Sequence, residues 1–155
     1  MIRDAELTDV PALVDLENRC FETDVLSARS FRHFLTRANA DLFLDEVDGA
    51  LRGYCLVLYH RNTSLARLYS IAVHPKWRKQ GVAGALLSYA ESRALNEGAT
   101  RMRLEVNQHN RTAQKLYRDL GYDEFAVVLD YYEDHANALR MEKDLAPHLA
   151  PDPEH

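Results

Sequence analysis

Leu68-Tyr69-Ser70-Ile71-Ala72-Val73-His74-Pro75-Lys76-Trp77-Arg78-Lys79-Gln80-Gly81-Val82-Ala83-Gly84-Ala85-Leu86-Leu87 is the stretch on which the reading of this chain turns. Leu68, Ile71 and Val73 give it the apolar, β-branched start of a strand. His74-Pro75 ends that strand, because proline has no N–H for a ladder. A basic turn over residues 76–81 follows, and Val82, Leu86, Leu87 and Ala90 then recur at helical spacing. Strand, basic turn and helix start together make an anion site. The first turn of a helix has N–H groups without partners, and the helix dipole adds partial positive charge there. Gly81, Ala83 and Gly84 leave the approach open, and Arg78 and Lys79 add full charge beside it. The N–H groups of Lys79, Gln80, Gly81, Val82, Ala83 and Gly84 are therefore expected to hold a pyrophosphate.

The glycines do not fit the two common phosphate fingerprints. A Walker A loop needs Lys-Ser or Lys-Thr after its last glycine, and a dinucleotide loop needs G-x-G-x-x-G. Arg78-x-x-Gly81-x-Ala83 is present instead. Downstream come Leu104-Glu105-Val106-Asn107, Asn110, Ala113, Leu116-Tyr117 and Leu120-Gly121-Tyr122. The loop and this segment, in this order and spacing, resemble the GNAT acetyltransferases, and the resemblance extends over roughly residues 2–145. Thr8-Asp9-Val10-Pro11 is similar to the family's first helix start. Asp130-Tyr131-Tyr132 followed by Ala138-Leu139-Arg140-Met141 is similar to the last hairpin of its protein N-acetyltransferases. The nearest branch is that of the ribosomal-protein alanine N-acetyltransferases (RimI-like). One departure stands out: that branch carries a Pro-Trp pair between its first two helices, where this chain has Thr23-Asp24-Val25-Leu26.

Composition bounds the rest. The 155 residues suit one domain with a buried core, and 46% hydrophobic with 28% charged residues suits a globular chain. No apolar run approaches the ~20 residues of a membrane span. Acidic residues stand near the N-terminus where a signal peptide would be apolar, so a cytoplasmic protein is expected. Cys20 and Cys55 lie in apolar segments and are expected reduced and buried. The histidines show no metal spacing, and no metal is proposed. A net charge of −5 argues against nonspecific nucleic-acid binding, which needs a basic face, and is compatible with a cationic acceptor.

The periodicities predict a strand at Ile2-Arg3 and a helix to about Phe21, capped by Thr8. A second helix follows, capped by Ser27. Strands are predicted over 42–47, 54–59, 68–73, 101–106, 125–129 and 139–143. Helices are predicted over 82–96 and 110–120. Asp48-Gly49 marks a tight turn. This is a mixed α/β order, and with the resemblance it implies a GNAT-like fold. A central mixed, mostly antiparallel sheet is expected, flanked by helices on both faces. Residues 1–145 form one domain, and residues 146–155 read as a disordered, acidic, proline-rich tail.

Acetyl transfer to an amine needs a proton acceptor, an oxyanion donor and an acid for the departing thiolate. The resemblance implies Glu105 as general base, acting through water, and Tyr117 as general acid beside the cofactor sulfur. Glu105 shares a strand face with Arg101 and Arg103, so a solvated ion pair remains the alternative. Tyr117 alternatively packs at i+4 from Ala113. Asn110 aligns with a position that binds the pantetheine arm or its phosphates, and it also reads as an N-cap. The backbones of Ile71, Ala72 and Val73 are implied to pair with pantetheine, which needs the next strand to splay away. Glu22, Asp24, Asp130, Tyr131, Tyr132, Glu133 and Asp134 form two polar loops on the expected acceptor side, with Tyr69 and Ser70 beside them. The expected activity is N-acetyl transfer from acetyl-CoA to a protein or peptide N-terminal amine, by direct attack in a ternary complex. Neither cysteine falls in the motif segments, so no acetyl-cysteine intermediate is expected. The alternatives are a small-molecule amine acetyltransferase (polyamine, aminoglycoside or amino acid) and a non-catalytic acyl-CoA-binding module. A monomer or homodimer fits either.

Overall fold

Asp48 and Gly49 take φ of 49° and 79°, the left-handed pair of a two-residue hairpin turn. They join β2 (Ala40–Val47) to β3 (Ala50–Tyr59), the longest described strand of the sheet. The computed structural model describes residues 1–37, 39–60 and 62–145, so the predicted tail lies outside the described residues. Before the hairpin stand β1 (Ile2–Asp4), α1 (Val10–Cys20) and α2 (Ala28–Thr36). After it come β4 (Leu65–Val73), α3 (Val82–Asn96), β5 (Arg101–Asn107), α4 (Arg111–Asp119), β6 (Asp123–Val128) and β7 (Ala138–Asp144). The described strands form one sheet in the order β1-β2-β3-β4-β5-β7-β6. Only β4 and β5 run parallel; the other neighbours are antiparallel, as expected of the mixed sheet.

Each face of the sheet buries its own cluster. On one, α3 and Tyr117 of α4 cover Phe43, Cys55, Val57, Ala66, Leu68, Met102, Leu104 and Met141. On the other, α1 and α2 bring Leu13, Leu16 and Phe31 against Leu42, Leu44, Tyr54, Leu56 and Ala72. Alternation along β3 sorts its residues cleanly between the two, Cys55 and Val57 to the first and Tyr54 and Leu56 to the second.

β4 breaks that alternation once. Its register pairs Leu56 with Ser70 but Val57 with Leu68, leaving Tyr69 as an extra residue in a β-bulge. Ahead of the bulge Ala66 and Leu68 face α3; beyond it Ile71 and Val73 do, while Ala72 joins the α1/α2 side. Pairing with β5 stops at the same point, the last matched pair being Leu68 and Leu104. The splay that the sequence could only imply is therefore present.

Gly53 lets α3 close on β3. A Cβ there would lie 2.7 Å from the Ala72 carbonyl oxygen and 3.1 Å from Leu86 Cδ1. The first helix begins differently from expectation. The chain makes a 3-10 turn over Leu7–Asp9, and Asp9 rather than Thr8 is the N-cap of α1. The Asp9 carboxylate accepts from the Glu6 N–H (2.7 Å) and from Arg3, whose guanidinium holds it below the usual carboxylate range. Ser27 caps α2 as read, accepting from the Ser30 N–H at 3.1 Å. β6 starts at Asp123, two residues before the predicted strand, because β7 supplies a ladder that its polar residues alone do not announce.

Candidate active site

The donor side is built at the start of α3. Gly81 is its N-cap with φ of 79°, and no side chain caps the helix. Its first-turn N–H groups, from Val82, Ala83 and Gly84, thus have no side-chain acceptor. Nothing lies within 4 Å of where a Cβ would stand on Gly81 or Gly84, so the space before those amides is open. Lys79 also takes a left-handed φ of 62°, which turns the chain sharply into the helix. Lys79 and Gln80 are exposed, and Val82 sends its side chain into the core while its amide stays in the turn. Arg78 donates from Nε to the Val73 carbonyl at 3.2 Å, which pins the basic turn to the end of β4.

Ladder geometry decides which β4 groups are free. The His74 N–H donates to Arg52 O at 2.7 Å, so the antiparallel alternation turns the N–H of Val73 away from β3. The same phase applies two residues back, at Ile71. Ala72, between them, spends its backbone on Tyr54, its register partner. The expectation for all of Ile71, Ala72 and Val73 thus narrows to Ile71 and Val73.

Two further predicted residues stand on α4. Asn110 caps it, its Oδ1 accepting from the Ala113 N–H at 3.1 Å, and its side-chain NH₂ has no hydrogen-bond partner among the described residues. Tyr117 is 7% exposed, edge-on to Tyr122, and its hydroxyl has no hydrogen-bond partner among the described residues. Burial raises its pKa above that of an ordinary tyrosine, with the nearby Cys55 and Tyr132 adding to the effect. It stays a phenol, able to donate a proton. Gln114 ties α4 to the end of β5, donating to the carbonyls of Asn107 and Gln108 at 3.1 and 3.0 Å.

Residues 10–122 match the sequence profile of the acetyltransferase (GNAT) family. The chain belongs to the GNAT acetyltransferases. An N-alpha-acetyltransferase of Sulfurisphaera tokodaii is 32% identical over 152 residues, covering 90% of each chain. The ribosomal-protein-S18-alanine N-acetyltransferase of Escherichia coli superposes with a TM-score of 0.84 at 26% identity, covering 94% of this chain and 93% of that one. The yncA protein of Salmonella typhimurium, solved with acetyl-CoA, shares the fold at a TM-score of 0.81 and 20% identity, over 99% of this chain and 98% of its own. This GNAT protein is thus an acetyl-CoA-dependent N-acetyltransferase, similar to the ribosomal-protein alanine N-acetyltransferases.

Just past the last β4–β5 pair stands Glu105, its side chain only 4% exposed. It is neither solvated nor paired with Arg101 and Arg103, both of which bind Glu142. Its Oε1 accepts from Arg67 at 2.6 Å and its Oε2 from Arg140 Nε at 2.9 Å. The Tyr131 hydroxyl accepts from Arg67 at 2.6 Å and lies 3.3 Å from Glu105 Oε1. Arg67 and Arg140 were not singled out in the sequence. Arg140 sits directly across from Glu105 in the β5–β7 register, which no local pattern announces. Tyr132 lies among Tyr131, Glu105, Asp24 and Arg67, and burial raises its pKa. The two polar loops meet where the Glu133 N–H donates to Asp24 Oδ2 at 3.3 Å. Asp130 bonds His135 at 2.6 Å.

Two more residues depart from the sequence reading. Cys20 is half-buried rather than buried, and its thiol donates to the Val73 carbonyl at 3.4 Å, at the very end of the donor strand. Burial pushes that thiol's pKa up, so it is a poor nucleophile despite its position. Glu17 is 1% exposed, although nothing in the sequence reading named it. The signal was there: it falls on the stripe of Val10, Leu13 and Cys20, where a carboxylate must find partners. Among the described residues no His, Cys, Asp or Glu cluster is gathered for a metal ion.

Proposed function

We propose that this protein acetylates the N-terminal α-amine of a protein or peptide, the amine attacking acetyl-CoA directly in a ternary complex. The observation that carries the reading is the bare edge of β4 beyond Leu68, running from the Glu105 and Tyr131 side to the uncapped start of α3. The relatives that act on protein N-termini by name support the acceptor class.

Acetyl-CoA supplies the activated thioester. The amides of residues 79–84 hold its diphosphate, with Arg78 and Lys79 adding charge. The outward N–H and C=O of Ile71 pair with the pantetheine arm, and the Val73 N–H faces the thioester oxygen, where negative charge develops. The side-chain NH₂ of Asn110 and the Ala113 turn line the other side of that arm. Tyr117 donates its proton to the departing thiolate. Glu105, held rigid by Arg67 and Arg140, takes a proton from the attacking nitrogen through water on the unoccupied side of Oε2. The loops bearing Asp24 and Glu133 flank the acceptor and favour an approaching ammonium. The protein acts as a monomer or homodimer in the cytoplasm.

The test is thiol release from acetyl-CoA with three acceptors: a peptide with a free N-terminus, the same peptide blocked there but carrying lysine, and a panel of small amines. Turnover on the free N-terminus, with the acetyl group located there by mass spectrometry, is the expected result. Turnover only on small amines would replace this reading with the small-molecule one. Stabilisation by coenzyme A without any turnover would leave a binding module.

A further inference from the structure

Glu17 ends a chain of hydrogen bonds that begins at the splay. Its Oε1 accepts from the Tyr54 hydroxyl at 2.5 Å, and that hydroxyl lies 2.7 Å from Ser70 Oγ. Its Oε2 accepts from the Leu26 N–H at 2.8 Å. A tyrosine has one hydroxyl proton, and Tyr54 gives it to the carboxylate. Ser70 must therefore donate to Tyr54, and the whole chain is polarised toward Glu17. The Ser70 oxygen keeps its lone pairs for a donor arriving from outside. Tyr54 is fully buried and Ser70 half-buried, standing just past the bulge on the unpaired part of β4, so the chain has one dry end and one open end.

Among the described residues no cation pairs with Glu17. The groups around it are Tyr54 from β3, Ser70 from β4, Leu26 from the α1–α2 loop and Cys20 from its own helix, while Arg78 reaches Cys20 and not Glu17. A dry carboxylate with only neutral partners has a raised pKa, and burial gives Glu17 that direction.

We propose that Ser70, Tyr54 and Glu17 form the relay that removes the first proton from the acceptor ammonium, before attack. The inference rests on the acetyltransferase reading above. An ammonium must lose two N–H protons to become an amide, one before attack and one from the tetrahedral adduct. In the first loss an N–H bond breaks and its electron pair stays on nitrogen. The proton passes to Ser70 Oγ as the Ser70 proton moves to Tyr54 and the Tyr54 proton to Glu17. The hydroxyls are regenerated, and the carboxylate becomes a carboxylic acid. Glu105 receives the second proton, Tyr117 protonates the thiolate, and the proton on Glu105 then restores the Tyr117 phenol through solvent. Product release lets Glu17 return its proton by the reverse path. Glu17 and Tyr54 are thus positioning residues that act through Ser70.

Steady-state pH profiles test this. Tyr54→Phe keeps the Glu17 bond to Leu26 but cuts the relay; Ser70→Ala cuts it at the open end; Glu17→Gln removes the acceptor. Each should lower kcat about 10²-fold, with acetyl-CoA affinity unchanged, and move the acidic limb of kcat/KM to higher pH by about one unit or more. Glu105→Gln should lower kcat and leave that limb in place. Wild-type rates and an unmoved limb in folded Tyr54→Phe and Ser70→Ala would overturn the relay. Should the wild-type protein acetylate no amine, the acetyltransferase reading fails separately. Carbon-13 NMR titration of the Glu17 carboxyl then decides. A midpoint above the ordinary glutamate range that rises further in Tyr54→Phe supports the relay, and an ordinary midpoint overturns it.

Discussion

Tyr117 and Cys20 both stand close to the donor strand, and their chemistry separates them. Tyr117 has a raised pKa and an unpartnered hydroxyl, the condition of a proton donor. Tyr117→Phe keeps the ring packed on Tyr122 and removes only that proton. Its kcat should fall about 10²-fold, while calorimetry should find acetyl-CoA binding within twofold of wild type, on the order of 0.4 kcal/mol. Cys20 is held as a thiol. Its alkylation by iodoacetamide should stay slow at pH 7–8 and accelerate only at higher pH than for an exposed cysteine, and Cys20→Ser should retain turnover. Double-reciprocal plots that stay intersecting, not parallel, would confirm that no acetyl-cysteine forms. Tyr117 was legible in the sequence because its motif is local. Glu105 was legible as a residue but not in its setting, since Arg67 and Arg140 reach it from strands whose pairing no short pattern encodes.

At the scale of elements, the strand, basic turn and helix over residues 68–96 follow the sequence closely, because proline, glycine and apolar spacing each act within a few residues. Their proposed role as an anion site can be probed without harming the fold. Gly84 has an open Cβ position and an ordinary φ, so Gly84→Asp should keep the melting temperature. The new carboxylate would stand where the diphosphate is held, and coenzyme A affinity should fall about tenfold or more, ~1.4 kcal/mol. Gly53→Ala is the opposite case. The Cβ has 2.7 Å to the Ala72 carbonyl oxygen, so β3 and β4 must shift. Chemical denaturation should show a loss of ~1–3 kcal/mol, since the contact is with backbone. The N-terminal cap was misread for a physical reason. Thr8 and Asp9 are both good caps by type, but a 3-10 turn over Leu7–Asp9 carries the chain past Thr8, and the Asp9 carboxylate binds the Glu6 N–H and Arg3 and not α1.

For the whole molecule, the sheet order and its splay depend on long-range pairing, while the mixed α/β class was readable from the alternation of periods alone. Stability carries the mark of the same buried carboxylate. Glu17 has a raised pKa in the folded state, so its favourable contribution is full below the unfolded value near 4.5 and is lost as pH rises through the folded one. The melting temperature of the wild-type protein should therefore fall relative to that of Glu17→Gln as pH climbs past the ordinary glutamate range, by calorimetry over pH 4–8. Asp9 acts in the other sense, its contribution present above the ordinary aspartate value and fading in acid as Arg3 loses its partner. The extra residue at Tyr69 has a wider reach than its single position suggests. It makes β4 two half-strands of opposite phase: were Tyr69 paired in the ladder like its neighbours, Ser70 and Ala72 would turn toward α3 and Ile71 and Val73 toward α1, whereas deleting it would leave a regular strand with those faces as they are. A one-residue frame change inside β4 that the bulge did not absorb would exchange the two faces of the strand at a stroke.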